Sequence, residues 1–136
     1  MPKMVLLAQY LALNGTDVSS STRKAELAME VEDKDVTTYG SLGWKEVKGG
    51  LKSGELGVEF LQDVAASAID SIMWPLFGSV VTFEVRADQA AVGASNPKYS
   101  GSCLIKEWKP IEGGVGDEAS VSVTYPTSGA VTRATA

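Results

Sequence analysis

The chain contains no histidine. That absence removes the commonest general base and the commonest metal ligand from its side chains. Cysteine is almost as scarce: Cys103 stands alone, which excludes an internal disulfide framework and fits a reducing cytoplasm. There is no basic excess either. Twelve Lys and Arg face 17 Asp and Glu, a formal net charge of −5, so a monomer carries no footprint for nucleic-acid phosphates. The same balance suits solubility, or repulsion of a polyanion. The apolar run at 4–13, MVLLAQYLAL, is too short to span a bilayer, which takes about 20 residues. Lys3 before it gives some likeness to a signal peptide. However, Gln9 and Tyr10 interrupt the run, no small-x-small cleavage site follows promptly, and NGTD comes next as a turn. An N-terminal strand is the expectation for 4–13.

What remains is a chain of 136 residues, long enough for one domain with a real core. Its hydrophobic fraction of 44% is ordinary for a globular domain, and 14 glycines with many Ser and Thr suit a turn-rich β-protein. Residues 24–32 alternate: Leu27, Met29 and Val31 on one face, Glu26, Ala28, Glu30 and Glu32 on the other. A slip of one residue would bury three glutamates, so the strand's orientation is well specified. Residues 33–54 then form a long excursion, rich in Lys, Gly, Ser and Thr, with only weak strand signals. Excursions of that length are usually functional or disordered.

A strand is expected at 55–62, with Leu56, Val58 and Phe60 on one side. Asp63 can cap a following helix over 64–74, whose stripe is Ala65, Ala68, Ile69, Ile72 and Leu76. Pro75 and Gly78 end it. A helix this short is marginal alone and must dock on a sheet. The clearest strand is Val80–Arg86, VVTFEVR, with Val81, Phe83 and Val85 inward. A loop ending in Asn96-Pro97 leads to a strand over 99–109, with Trp108 near its end, and Gly113-Gly114 turns the chain into the last strand, 119–125. About six or seven strands and one helix make a mainly β domain, a β-sandwich or barrel-like fold over residues 1–125. The small polar tail, 126–136, is expected as a flexible C-terminal arm.

No constellation carries catalysis. The acidic group Glu30, Glu32, Asp33 and Asp35 lacks the ligand spacing and glycine of an EF-hand and reads as a solvated strand end. Cys103 has no histidine to activate it and reads as a packed strand thiol. Gly49-Gly50 and Gly113-x-x-Gly116 lack the Lys-Ser/Thr pair of a phosphate loop. Neither an enzyme nor a cofactor is expected. The 33–54 excursion carries Lys34, Lys45, Lys48 and Lys52 beside Tyr39 and Trp44. It reads either as an ordinary surface loop or as an inter-subunit contact that orders when a neighbour supplies the missing surface. The tail, with Arg133, reads either as a frayed terminus or as the same kind of contact.

One resemblance gives these pieces a common purpose. YGSLGWKEVKGGLKSGELGVEFLQDVAASAIDSIMWPLFGSVVTFEVRAD resembles the middle of major tail tube proteins from long, non-contractile-tailed bacteriophages. There, an acidic strand leads to a long loop, a Gly-x-Lys-Ser-Gly strand opening, a helix and a V-x-F-x-V-R strand. NPKYSGSCLIKEWKPIEGGVGDEASVSVTYPTSG resembles the closing strands, and the likeness covers residues 26–132 in the order of its elements.

The resemblance implies a tail tube fold and six-membered rings that stack into a hollow tube. DNA passes through transiently, without specific binding, and strands continue from subunit to subunit. At −5 each, six subunits give roughly −30 per ring, and an acidic lumen would let DNA slide. Glu30, Glu32, Glu55, Glu59 and Glu84 are then lumen candidates. Lys34, Tyr39, Trp44, Lys45, Lys48, Lys52 and Arg133 are candidates for inter-ring and inter-subunit contact. The helix would pack outside the sheet, with Trp74 and Phe77 as core. Implied partners are the tail tip and terminator proteins and a tape measure protein in the lumen. Membrane insertion is not expected, and the location would be the virion tail, assembled in the host cytoplasm. Competing readings are another small β virion protein (a head decoration or tail terminator subunit) and an immunoglobulin-like binding module.

Overall fold

The computed structural model describes residues 4–136; Lys3 lies outside the described residues. Two antiparallel sheets face each other. The first has the order β2-β1-β5-β6-β8, built from β1 (Tyr10–Leu13), β2 (Thr16–Asp17), β5 (Val80–Arg86), β6 (Lys98–Leu104) and β8 (Thr132–Ala134). The second has the order β3-β4-β7, built from β3 (Thr22–Asp35), β4 (Val47–Leu61) and β7 (Ser120–Pro126). One short helix, α1 (Ile69–Met73), sits between β4 and β5 in the chain. The fold is therefore a mainly β sandwich.

Alternation fixes which side chains meet between the sheets. Leu11, Leu13, Val81, Phe83, Val85 and Cys103 face inward from the first sheet. Ala25, Leu56, Val58, Phe60, Val121, Val123 and Tyr125 answer from the second. Each large side chain buried in this way contributes about 1.5–3 kcal/mol. Gly101 is required by close approach: a Cβ there would stand 3.0 Å from the Ala130 carbonyl oxygen and 3.3 Å from the Phe83 ring. After β7 the chain crosses between sheets, with Thr127 N–H donating to Gly54 and Ser128 N–H donating to Ser102, at 2.9 and 2.8 Å.

Several expectations shift. The N-terminal strand begins at Tyr10, and its turn is Asn14-Gly15, both at positive φ (53° and 79°) as a two-residue hairpin loop demands. The helix is five residues long, against the expected 64–74. Asp63 does not cap it; its carboxylate accepts from Ala65 N–H, and Ser67 at φ 63° breaks the chain before Ala68. Ile69 and Met73, four apart, are buried in the core, so the helix is an inserted plug whose inner side completes the interior. Pro75 tightens the next turn and swings Trp74 and Phe77 outward. They are 59% and 50% exposed and stack on each other at 6.3 Å, so they are not core. The strand expected at 99–109 ends at Leu104. Trp108 is nevertheless buried, edge-to-face with Phe60 at 5.9 Å and donating from Nε1 to Asp70 Oδ1 at 3.0 Å. Within the segment expected as a flexible arm, residues 132–134 form β8 against β6.

The largest correction concerns 33–54, expected as a long loop. It is a β-hairpin: β3 runs to Asp35, β4 starts at Val47, and only 36–46 connects them. The ladder runs continuously from Thr22↔Phe60 to Asp35↔Val47, with irregularities at Thr22/Lys24 and Val31/Asp33.

Two variants separate packing from polarity in this core. Tyr125 is fully buried, and its hydroxyl has no hydrogen-bond partner among the described residues. Tyr125→Phe therefore changes unfolding free energy by less than about 1 kcal/mol, or raises it, because an unsatisfied buried group is removed. Phe60→Ala costs about 3–5 kcal/mol. Urea denaturation of the purified variants measures both.

Candidate assembly surfaces

Among the described residues no three His, Cys, Asp or Glu gather in a way that could hold a metal ion. Cys103 is fully buried, and burial pushes its thiol up to about 11, which keeps it a neutral packing group. The distinctive features are surfaces.

The first is the hairpin arm. Past Leu27 the β3–β4 ladder leaves the body of the sandwich, and β3 is exposed on both faces: Met29 is 52% and Val31 49% exposed. Gly54 lies directly across from Met29, where a Cβ would come within 2.6 Å of the Met29 sulfur. Gly49 lies near Val31, whose Cγ1 would meet a Cβ there at 3.0 Å. The glycines let β3's side chains lie flat over β4.

The arm's tip is folded by its own hydrogen bonds. Ser41 Oγ donates to Glu46 Oε2 at 2.7 Å and accepts from Thr38 N–H at 3.2 Å, while Val36 N–H donates to the Glu46 carbonyl at 3.0 Å. This frame holds Tyr39, Leu42 and Trp44 in solvent, 102%, 85% and 79% exposed. Leu42 adopts a left-handed backbone (φ 52°), unfavourable for a bulky residue. The structure therefore brings Tyr39, Trp44 and Lys45 together at the tip. Lys34, Lys48 and Lys52 lie along the arm, Lys34 across from Lys48 and paired with Glu32. Arg133 is elsewhere, on β8, with its Nε donating to Tyr99 Oη at 3.3 Å.

The second surface is the outer face of the three-stranded sheet. Glu30, Glu32, Glu55 and Glu59 all lie on it, joined by Glu26, which the candidate set omitted although the 24–32 alternation already placed it there. Lys24 is its counterion on β3, and Ser122 and Thr124 complete it from β7. Glu59 accepts from Ser122 Oγ at 3.4 Å and lies 3.7 Å from Arg23. Arg23 also holds Glu118 at 2.5 Å, and that hydrogen bond keeps the Glu118 carboxyl below its ordinary range. Glu84 does not belong to this face. It sits on β5, in the other sheet, 2.9 Å from Arg86 Nε and 4.0 Å from Lys98. Arg86 in turn lies 3.9 Å over the Tyr10 ring.

The third is an open edge. β3 borders its sheet over 14 residues, and the one contact to that edge among the described hydrogen bonds is Gln9 Nε2 donating to the Ala25 carbonyl at 3.2 Å. A long unpaired edge is an aggregation hazard in a monomer and a template for strand addition. The opposite edge, β7, is partly covered, with Thr124 N–H reaching Glu107 Oε1 at 3.4 Å. The open edge and the exposure of the apolar Met4–Leu7 segment are surface features to which the sequence assigned no role. Four consecutive apolar residues were the signal for the segment; edge position has none.

These features define a class: a β-sandwich with one sheet edge open and a hairpin extended past its core. Comparisons with known proteins bear on the fold. No family model and no curated protein matches the chain. Among solved structures, it shares its fold with a chain from the virion of a native gene transfer agent particle: TM-score 0.66, 23% identity, covering 83% of this chain and 84% of that one. A chain from the tail of an empty gene transfer agent particle, determined with helical refinement and C6 symmetry, gives a TM-score of 0.64 at 21% identity, covering 82% and 81%.

Two outcomes follow. The ordinary value for the Cys103 thiol is 9.0 and burial raises it, so the unfolded chain loses a proton first. Stability is then fully present below pH 9 and falls as pH rises from about 9 toward 11. Cys103→Ala flattens that slope in thermal melts without abolishing it, because burial raises the Tyr125 hydroxyl in the same direction. Separately, Ser41→Ala removes the two side-chain bonds that Ser41 makes at the tip. Amide exchange over 37–46 accelerates about tenfold, the effect of losing about 1.4 kcal/mol, while β4–β7 amides do not change.

Proposed function

We propose that this protein is the structural subunit of a phage-like tail tube, assembling as stacked six-membered rings through which DNA is delivered. The observation that carries the reading is the fold shared over four-fifths of both chains with a chain from a C6-symmetric tail. The surfaces support it. A ring gives β3's free edge a neighbouring strand and removes the hazard of leaving it bare. The arm, with its exposed Tyr39, Leu42 and Trp44, is long enough to leave its own subunit's core and meet the adjacent ring. Lys34, Lys45, Lys48 and Lys52 travel with it toward acidic partners.

The lumen in this proposal is lined by the outer face of the β3-β4-β7 sheet, with Glu26, Glu30, Glu32, Glu55 and Glu59. Fixed carboxylates there repel phosphates and prevent DNA from sticking during passage. Glu84 is set aside from the lumen set because it lies on the other sheet, beside Arg86 and Lys98. Arg133, on β8, is assigned to contact between subunits. A tape measure protein would occupy the lumen before DNA, and tip and terminator proteins would close the two ends. The site of action is the virion tail, after assembly in the host cytoplasm. The role is structural and needs no catalytic residue or cofactor.

Negative-stain microscopy across a concentration series tests the reading. Rings or tubes of uniform width, with an open centre and sixfold class averages, are the expected result. A monomer or trimer persisting at every concentration would overturn it and favour a head decoration subunit or a binding module.

A further inference from the structure

Two apolar surfaces in this molecule are left without an intramolecular partner, and they match. One is the inner face of the hairpin arm. Beyond Leu27, which still packs against the core, Met29 and Val31 continue the inward stripe of β3 past the end of the first sheet. Because Gly54 and Gly49 lie beneath Met29 and Val31, the stripe is flat and low, bounded by Lys52 and Asp33. The other is Met4–Leu7, the one run of consecutive exposed large apolar residues among those described: 74%, 72%, 52% and 89% exposed. The segment joins no ladder; the chain first touches a strand partner at Ala8, bridged to Asp88.

The course of the segment rules out its covering its own arm. Gln9 sits beside Ala25, and from there the chain runs back to Leu6 and Leu7, which line a hollow with Thr22 and Arg23. That direction is away from Met29 and Val31. In a single copy, therefore, the apolar segment and the apolar face point to opposite ends of β3.

We propose that residues 4–7 of one copy dock on the β3 side of the hairpin arm of the next copy, covering Leu27, Met29 and Val31 and adding to the free edge. The inference rests on the self-assembly proposed above and identifies the element that links successive subunits. From Met4 to Leu7 an extended chain advances about 10 Å, enough to cover most of the roughly 13 Å from Leu27 to Val31 along β3. The segment carries no charge, so its burial leaves no ion unpaired, while Lys52 and Asp33 remain at the rim. The β3 edge supplies main-chain groups for strand addition. The contact is heterologous: each copy gives its segment to one neighbour and receives one from another, the arrangement that closes rings or propagates stacks.

The test is cross-linking of assembled protein carrying Leu6→Cys and Met29→Cys, with a short bismaleimide. Native Cys103 is fully buried and stays silent. The expected result is a covalent ladder of dimers and higher species on a denaturing gel, absent from either single variant. A monomer-sized, internally linked product would overturn the proposal by showing that the segment lies on its own arm. Assembled tubes that give no ladder would also overturn it, leaving the tube reading intact. As a second readout, Leu6→Asp with Leu7→Asp keeps the wild-type thermal transition but needs at least ten times more protein to assemble. Assembly at the wild-type concentration would contradict the docking. If the unmodified protein forms neither rings nor tubes, the reading of function falls, and this inference with it.

Discussion

The β3–β4 ladder is the interaction on which the rest of the structure depends. It holds two long strands in register, but only its first half has a second sheet to lie on. In that half, Leu56, Val58 and Phe60 meet Leu11, Leu13 and Phe83 across the interior, and burial fixes the register. In the other half nothing is buried, and pairing alone carries the geometry forward from the anchored end. An isolated two-stranded hairpin is marginal in water. The sandwich acts as a clamp that makes a long exposed arm possible, and the arm presents surface the core cannot.

Charge is sorted by the same ladder. Because β3 and β4 alternate in phase, one face collects apolar residues and the other collects Glu26, Glu30, Glu55 and Glu59. Lys24 and the nearby Arg23 offset them at one end, and Lys34, paired with Glu32, offsets them along the arm. Carboxylates concentrated on one face repel one another in a monomer, and the same field repels phosphate. The five-stranded sheet is different: Glu84 is matched by Arg86 and Lys98, and its face is closer to neutral. A molecule with one acidic face, one open edge and one extended arm is poorly suited to solitude and well suited to a ring.

Much of this was legible from residue order. VVTFEVR alternates so clearly that β5 is bounded as read, and β7 is displaced by a single residue. Both strands are half-buried, so packing writes a period of two into them. The arm was not legible, because neither of its faces is covered within one subunit; Lys, Gly and Ser are tolerated there and no period is imposed. The helix was overread for a related reason. Ala65 and Ala68 fit a helical stripe, but Ser67 turns the chain at positive φ, and the buried contact comes only from Ile69 and Met73. Trp74 and Phe77, apolar and expected inside, lie outside because Pro75 rotates them away. For the site, alternation placed four of the five glutamates on one face. Glu84 falls on the other sheet; a strand's polar face can be read from sequence, but the sheet that strand joins cannot.

In the proposed ring, β3 is a strand awaiting a neighbour. Hydrogen exchange of its edge amides, measured by mass spectrometry on dispersed and on assembled protein, tests it most directly. Peptides spanning 25–33 are expected to exchange rapidly in the dispersed subunit and to become strongly protected on assembly, while β5 peptides are protected in both. Equal exchange of 25–33 in both states would show that subunits meet elsewhere and contradict the account.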